Sequence, residues 1–201
     1  GYECEEASGT RVDEVGALDL TLEFGAAASA TGRIGNGVDG NASMRLRNDS
    51  YTIANGTQFA VQGFIYFTSS SAGDVTMLAL FAGAGVLLGL TTNGSGNVKG
   101  LLQYTTEINL SLTPDTWYHV IFGYNGTNTV IHVNGGAAQV LGAGAPGVAF
   151  NRLWLGSDSG GVNFRADLIF RWMGRFPSSA QIATLYNSNS GRTYAQLLAG
   201  V

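Results

Sequence analysis

The sequence predicts an all-β fold in which two antiparallel sheets form a sandwich and one short helix follows the strands. Three observations predict it: a tight hairpin signature, short apolar runs separated by turn residues, and no helical periodicity between those runs. Hydrophobic residues make up 45% of the 201 residues, enough for a sizeable core, and Gly accounts for 30 but Pro for only 3. Because a sandwich of about this length commonly forms one unit, we expect a single domain over residues 1–201.

The hairpin signature lies between Trp117 and Val133. Two runs rich in β-branched and aromatic residues flank Asn125-Gly126, which favours a tight turn. Alternation along the first strand places successive side chains on opposite faces. One face then carries Trp117, His119 and Ile121, and the other carries Tyr118, Val120, Phe122 and Tyr124. Both faces are largely apolar, which predicts that the hairpin lies inside a layered structure.

Further short apolar runs recur between clusters of Gly, Asn, Ser and Asp, at the spacing typical of a sandwich. They cover Ala17–Phe24, Ser43–Leu46, Phe59–Phe67, Thr76–Phe81, Val86–Thr91, Gly100–Tyr104, Gln139–Leu141, Arg152–Leu155 and Asn163–Trp172. In the last run, apolar residues alternate with polar ones from Phe164 to Trp172, so we expect Leu168, Phe170 and Trp172 to share one core-facing side with Phe164.

One helix is predicted near residues 178–187. Ser178 followed by Gln181 forms a capping box. Ile182, Leu185 and Tyr186 then fall on one face of the helix. A short helix packed on a sheet explains this segment without any role in function.

Several motifs in the same order resemble those of the concanavalin A-like, laminin-G-like jelly-roll domains found on phage structural proteins and bacterial surface proteins. They are Glu6–Gly16, Thr31–Gly37, Phe59–Tyr66, Trp117–Val120 with Tyr124–Thr127 and Val133–Gly135, and Ser178–Asn187. The resemblance implies a jelly-roll sandwich. It also implies a recognition or attachment role on a virion or an extracellular surface, and it identifies Asp167 with a structural hydrogen-bonding acid.

Glucanases of this family need carboxylates at alternating positions of one strand, because alternate residues share a face and a retaining pair sits roughly 5 Å apart. The sequence contains no Glu-X-Asp-X-X-Glu pattern. His119 and His132 have no accompanying nucleophile signature, and a histidine on an apolar strand is most often a core residue. The sequence therefore predicts a non-catalytic protein, with an unusual glycan hydrolase or lyase as the alternative from the enzyme class.

Glycan binding is the predicted function, because sugars need aromatic rings for their apolar faces and planar polar groups for their hydroxyls. Candidate residues combining these groups are Tyr104, Arg152, Trp154, Asp158, Asn163 and Arg165. Trp117 and Trp172 are interpreted as core residues. The alternative is a virion structural or decoration protein that binds other capsid or tail subunits, or itself.

Calcium is a weaker expectation from the same resemblance, since some relatives bind it through loop oxygens. Asp39 and Asn41 could supply two hard oxygen ligands, and the alternative interpretation is an Asx turn with a permissive Gly40. No cofactor is required by any other pattern in the sequence.

Charge argues against nucleic acid as a partner, and the length of the apolar runs argues against insertion into a membrane. The formal net charge is −4, charged residues make up only 12%, and Lys99 is the only lysine, which argues against nucleic-acid binding. No apolar run is long enough to span a bilayer, and Gly83, Gly85 and Gly89 interrupt the most apolar stretch. Cys4 is the only cysteine, so no disulfide forms within the chain.

Overall fold

The computed structural model describes residues 2, 4–12, 19–40, 44–50, 52–70, 75–83, 85–92, 97–103, 105–156, 162–187, 190–191 and 196. These residues contain fourteen strands and the helix α1 (Ser179–Tyr186). The strands are β1 (Thr21–Phe24), β2 (Ala27–Thr31), β3 (Asn36–Gly40), β4 (Arg45–Asn48), β5 (Phe59–Ser70), β6 (Thr76–Ala82), β7 (Val86–Thr92), β8 (Val98–Leu102), β9 (Thr106–Asn109), β10 (Thr116–Tyr124), β11 (Asn128–Val133), β12 (Gln139–Ala143), β13 (Arg152–Gly156) and β14 (Val162–Met173).

The strands form two seven-stranded sheets in which every pairing is antiparallel. Sheet 1 has the order β1-β4-β13-β6-β7-β8-β9, and sheet 2 has the order β12-β11-β10-β5-β14-β3-β2. Alternate residues of both sheets meet between them: Phe59, Val61 and Ile65 of β5 lie in the same buried cluster as Leu78 and Leu80 of β6. The predicted two-sheet jelly-roll sandwich is confirmed.

The predicted hairpin is present as β10 and β11, which pair from Val120–Val133 to Tyr124–Thr129. The Asn125 side-chain oxygen accepts hydrogen bonds from the backbone N–H groups of Thr127 and Asn128, at 2.9 and 2.8 Å. Val120 and Phe122 face the core between the sheets, whereas Ile121 packs on the outer side. The predicted division of the two faces is therefore confirmed.

Helix α1 explains why the outer side of the hairpin is apolar. Ser178 caps the helix, and its capping box with Gln181 is formed in both directions. Buried Ile182 and Leu185 pack against Ala60 of β5 and Ile121 of β10, with Trp172 and Phe176 at the edge of this cluster. The predicted helix is confirmed, and it lies on the outer face of sheet 2.

Strand β14 departs from regular alternation at Leu168. Leu168 has φ 52°, and the register with β5 shifts between Asp167, which pairs with Phe64, and Phe170, which pairs with Gln62. This is a β-bulge, in which two residues oppose one residue of the partner strand. Phe164 and Ala166 face the core, but Leu168 and Phe170 lie in an outer cluster that Trp172 also contacts. The prediction that all these residues share one core-facing side is wrong, because the extra residue reverses the alternation.

The N-terminal segment continues sheet 2 where β3 stops. Tyr2 exchanges two backbone hydrogen bonds with Ile169, at 2.7 and 2.9 Å, directly after the bulge. Tyr2 and Cys4 are buried in the main core. Burial raises the pKa of the Cys4 thiol well above its usual value of 9.0, so this cysteine is an unreactive core residue.

No helix in the described ranges has both the length and the apolar character needed to cross a membrane.

Candidate functional site

The candidate glycan-binding residues fall on two different faces of the sandwich. Arg152 and Trp154 lie on the outer face of sheet 1, and Arg165 lies on the outer face of sheet 2, near Asn163 at the start of β14. Tyr104, Asp158 and Asn41 lie outside the described residues. The sequence candidates therefore do not form one site, and each face has to be judged by its own geometry.

On sheet 2, four side chains form a line across neighbouring strands, which we call the Arg–aromatic row. Asp39 of β3 pairs with Arg165 of β14, Arg165 pairs with Tyr66 of β5, and Tyr66 pairs with Trp117 of β10. Their sequence neighbours face the core, so these four side chains point outward. Three strand spacings separate the ends of the row, which makes it about 14 Å long.

Contacts between the members hold the row together. The Arg165 guanidinium lies over the Tyr66 ring, 5.5 Å from its centroid, and the Tyr66 and Trp117 ring centroids are also 5.5 Å apart. The Arg165 Nε and Asp39 Oδ1 atoms are 3.9 Å apart. All four side chains are only partly buried. The row therefore presents two aromatic rings, a guanidinium and a carboxylate on one accessible surface.

A second carboxylate joins the row from the loop before β10. The Tyr66 hydroxyl donates a hydrogen bond of 3.0 Å to the exposed Asp115. This hydrogen bond is the main reason that the pKa of Tyr66 lies above its usual value of 10. Asp115 thereby fixes the orientation of the phenol and leaves a negative charge beside the ring.

Asn163 is exposed at the start of β14, two residues before Arg165. Its backbone carbonyl accepts a hydrogen bond of 3.4 Å from the Thr68 hydroxyl. Asn163 and Thr68 therefore add exposed polar groups beside the row, at the start of β14 and near the end of β5.

The outer face of sheet 1 carries Trp154, but its ring is already covered. Arg45 of β4 lies over the ring at 4.1 Å from the centroid, and the Phe81 ring of β6 lies 3.8 Å from it. Since β4 and β6 flank β13 on opposite sides, these two groups cover opposite faces of the indole. Trp154 has no ring face left for a sugar.

Ion pairs connect the charged residues around Trp154. Glu23 binds Arg45 at 2.5 Å and also binds Arg47. Asp49 binds Arg47 at 3.0 Å and lies 3.6 Å from Arg152. These arginines and carboxylates satisfy one another, so the surface around Trp154 is a self-contained network.

Next to the row along the same strands, α1 and the turn between β2 and β3 cover the outer face of sheet 2. Asp167 is fully buried, and its Oδ2 accepts hydrogen bonds from the backbone N–H groups of Arg33 and Ile34, at 2.7 and 2.8 Å. Burial raises the pKa of Asp167 from 3.8 to about 7, although these N–H groups and that of Leu168 act in the opposite direction. Asp167 is the structural hydrogen-bonding acid that the resemblance implies.

His119 and His132 lie in the same covered region. His119 is 1% exposed, its Nε2 is 3.1 Å from Gln62 Oε1, and its ring packs at a tilt against Phe64. Burial, together with neighbouring His132, lowers the pKa of His119 from 6.5 to about 3. The interpretation of His119 as a core residue is confirmed.

Calcium binding at Asp39 and Asn41 stays a prediction, because Asn41 lies outside the described residues. Asp39 and Gly40 belong to β3, and Gly40 is needed because a side chain there would overlap the Phe164 ring. The guanidinium of Arg165 beside Asp39 disfavours a second cation. Within the described ranges, no group of three or more His, Cys, Asp or Glu residues is arranged to hold a metal ion.

Sequence reasoning missed Tyr66 and Asp115 as site residues and assigned Trp117 to the core. Trp117 is half-buried, and its ring contacts Tyr66 and the outer cluster around Phe64. The alternation in β5 and in β10 assigns Tyr66 and Trp117 each to one face of its own strand. Only the register between these strands brings the two rings together.

Comparison with known proteins establishes the family. The model of the concanavalin A-like lectin/glucanases superfamily, laminin G type, matches residues 36–183, which is well over half of the chain. The chain therefore belongs to this superfamily. No curated protein matches the sequence.

Solved structures with the same fold include enzymes and binding domains. The chain is similar to the Trypanosoma rangeli sialidase, with a TM-score of 0.71 and 16% identity over 96% of this chain and 33% of the sialidase. It is also similar to domain 4 of the extracellular arabinanase AbnA from Geobacillus stearothermophilus, solved with arabinotriose, with a TM-score of 0.64, 13% identity and coverage of 93% and 100%. A third is the binding domain of paraclostridial mosquitocidal protein 1, with a TM-score of 0.64, 14% identity and coverage of 91% and 52%.

These matches correct the prediction of a non-catalytic protein. The chain spans about a third of the length of the sialidases that it matches, one of which is a mutant displaying trans-sialidase activity. The prediction rested on a missing glucanase pattern, and that pattern does not test for the residues of a sialidase. The prediction is therefore wrong, and the fold occurs within proteins that act on carbohydrates.

Proposed function

We propose that this domain binds carbohydrate through the Arg–aromatic row on sheet 2. Sugar recognition needs aromatic faces for the C–H groups of the pyranose or furanose ring, and planar polar groups for its hydroxyls. Trp117 and Tyr66 supply the rings, while Arg165 and Asp39 supply the donors and acceptors. The single observation that carries the proposal is this accessible line of four side chains on adjacent strands.

The row is favoured over the outer face of sheet 1 by the state of the aromatic rings. Trp154 is covered on both faces by Arg45 and Phe81. In the row, the Arg165 guanidinium and the Tyr66 ring are 5.5 Å apart, and the Tyr66 and Trp117 rings meet at an interplanar angle of 47°. This wider spacing and the partial exposure of both rings support their availability to a ligand.

The fold relatives support a role in the handling of glycans. One is an arabinanase domain solved with arabinotriose, and others are sialidases, one of them in complex with sialic acid. We propose that the domain gives a carbohydrate-active or carbohydrate-attaching protein its contact with the polymer, in an extracellular setting. Placement on a phage particle, or contact with virion subunits, is carried by the sequence resemblance alone and remains a prediction.

A glycan array followed by calorimetric titration tests the proposal. We expect wild type to bind at least one group of oligosaccharides, and we expect Trp117→Ala and Tyr66→Ala to weaken that binding by about tenfold or more, since each removes a stacking surface worth about 1.5 kcal/mol. Arg152→Ala, on the opposite face, is the matched control and should bind as wild type does. Binding that survives both aromatic substitutions would refute the row as the site.

A further inference from the structure

The charges around the Arg–aromatic row are uneven. Asp39 lies at one end of the row, and Asp115 accepts the hydrogen bond from the Tyr66 hydroxyl near its centre. Arg165 is the row's own cation. Two carboxylates and one guanidinium give the described part of the site a formal charge of −1, within a chain whose net charge is −4.

The position of Arg165 reduces what its charge can offer to an anion. Its guanidinium lies between the Asp39 carboxylate at 3.9 Å and the face of the Tyr66 ring at 5.5 Å. An anionic group that approached Arg165 would also approach Asp39. Hydroxyl groups are better suited to this pair, because one hydroxyl accepts from a guanidinium and another donates to a carboxylate.

We propose that the row selects uncharged glycans and discriminates against glycans that carry a carboxylate at the bound sugar. This inference rests on the proposed function and specifies the ligand class for the same site. It separates the present domain from sialic-acid binding, even though a third of a sialidase solved in complex with sialic acid has the same fold. The discrimination comes from Asp39 and Asp115, which repel a carboxylate, while Tyr66 and Trp117 accept either kind of sugar ring.

The size of the effect follows from simple electrostatics. Two like charges about 6 Å apart in water repel by roughly 0.7 kcal/mol, which corresponds to about a threefold loss of affinity. The repulsion is screened by salt when both charges are exposed. We therefore expect an affinity gap of about threefold or more at low ionic strength, and a smaller gap in 1 M NaCl.

The experiment uses pairs of glycans that differ by one acidic sugar, such as lactose and sialyllactose, or xylo-oligosaccharides and their glucuronic acid-substituted forms. Each pair is titrated into the wild type and into Asp39→Asn, Asp115→Asn and the double variant. Both substitutions are isosteric, and Asn tolerates the left-handed backbone of Asp115, whose φ is 59°. Asp49→Asn on sheet 1 is the matched control, since it removes one acid of similar exposure from the opposite face.

The inference is supported if the neutral member of a pair binds more tightly and if the gap closes in the double variant but not in Asp49→Asn. Equal or tighter binding of the acidic member overturns the inference and leaves the proposed function intact. A gap that persists in the double variant also overturns it. If no glycan of either kind binds, or if binding survives the loss of Trp117 and Tyr66, the proposed function fails and the inference fails with it.

Discussion

The imidazole Nε2 of His119 and the side-chain oxygen of Gln62 lie 3.1 Å apart on neighbouring strands of sheet 2. The contact is buried, because the His119 ring also packs against Phe64 and stacks with Tyr186 of α1, with ring centroids 4.8 and 6.1 Å away. A neutral imidazole fits this environment, and a charged one has no carboxylate partner among the described contacts. The stability of the domain should therefore depend on pH through this residue.

His119 should make the domain less stable in acid. Its pKa is lowered from 6.5 to about 3 by burial and by His132, so its contribution is fully present above pH 6.5 and is lost as pH falls toward 3. As pH falls from 6 to 4, the free energy of unfolding of His119→Phe should rise relative to that of wild type by about 1.4 kcal/mol for each pH unit. Urea denaturation at several pH values measures this. A difference that stays constant with pH would contradict the assignment of a buried neutral histidine.

Asp167 should act in the opposite direction. Burial raises its pKa from 3.8 to about 7, so its contribution to stability is fully present below pH 3.8 and is lost as pH rises through 7. As pH rises from 4.5 to 6.5, the free energy of unfolding of Asp167→Asn should rise relative to that of wild type by about 1.4 kcal/mol for each pH unit. An NMR titration that follows the side-chain carboxyl of Asp167 gives an independent measurement of its pKa.

Gly63 and Ile169 should be energetically coupled. A Cβ atom on Gly63 would lie 2.5 Å from Ile169 Cδ1, so Gly63→Ala should cost about 1–3 kcal/mol through overpacking. Ile169→Val removes that methyl group and alone should cost about 1 kcal/mol. The double variant should be more stable than the sum of the two single effects, by about 1 kcal/mol. Additive costs in denaturant unfolding would show that the two residues do not compete for the same space.

Substitution of Trp154 should mainly lower the stability of the fold, whereas substitution of Trp117 should mainly lower glycan affinity. Trp154 is packed between Arg45 and Phe81, so Trp154→Ala should cost about 3 kcal/mol in free energy of unfolding. Glycan affinity of the folded protein should stay within twofold of wild type. Trp117→Ala should cost only about 1 kcal/mol but should weaken binding as described above. The reverse pattern would move the binding site to sheet 1.

Local signals explain how much of the fold could be predicted. The hairpin at Asn125, the alternation along Trp117–Tyr124 and the capping box of Ser178 and Gln181 all depend on residues close together in the sequence. The bulge at Leu168 does not. Leu is disfavoured at positive φ, and the conformation is held by Tyr2, which pairs with Ile169, and by Asp167, which binds the distant turn at Arg33 and Ile34.

The same reason limits what could be predicted of the site. Residue types identify Arg165 and Asn163 as glycan candidates, and the resemblance suggests Asp39 only as a calcium ligand. Their grouping with Tyr66 and Trp117 depends on strand order and register. Trp154 beside Arg152 resembles a binding pair in the sequence. Its ring is unsuitable only because Arg45 and Phe81 arrive from the two flanking strands.

The bulge makes Leu168 a surplus residue of β14. Asp167 opposite Phe64 and Phe170 opposite Gln62 leave only Gly63 between them on the partner strand, and Ile169 already fills that place. Excising Leu168 would keep both flanking registers, so Trp172 would still pack against the helix. Excising a residue elsewhere in the paired parts of β14 would turn one half of the strand inside out. Natural deletions within this strand should therefore be confined to position 168.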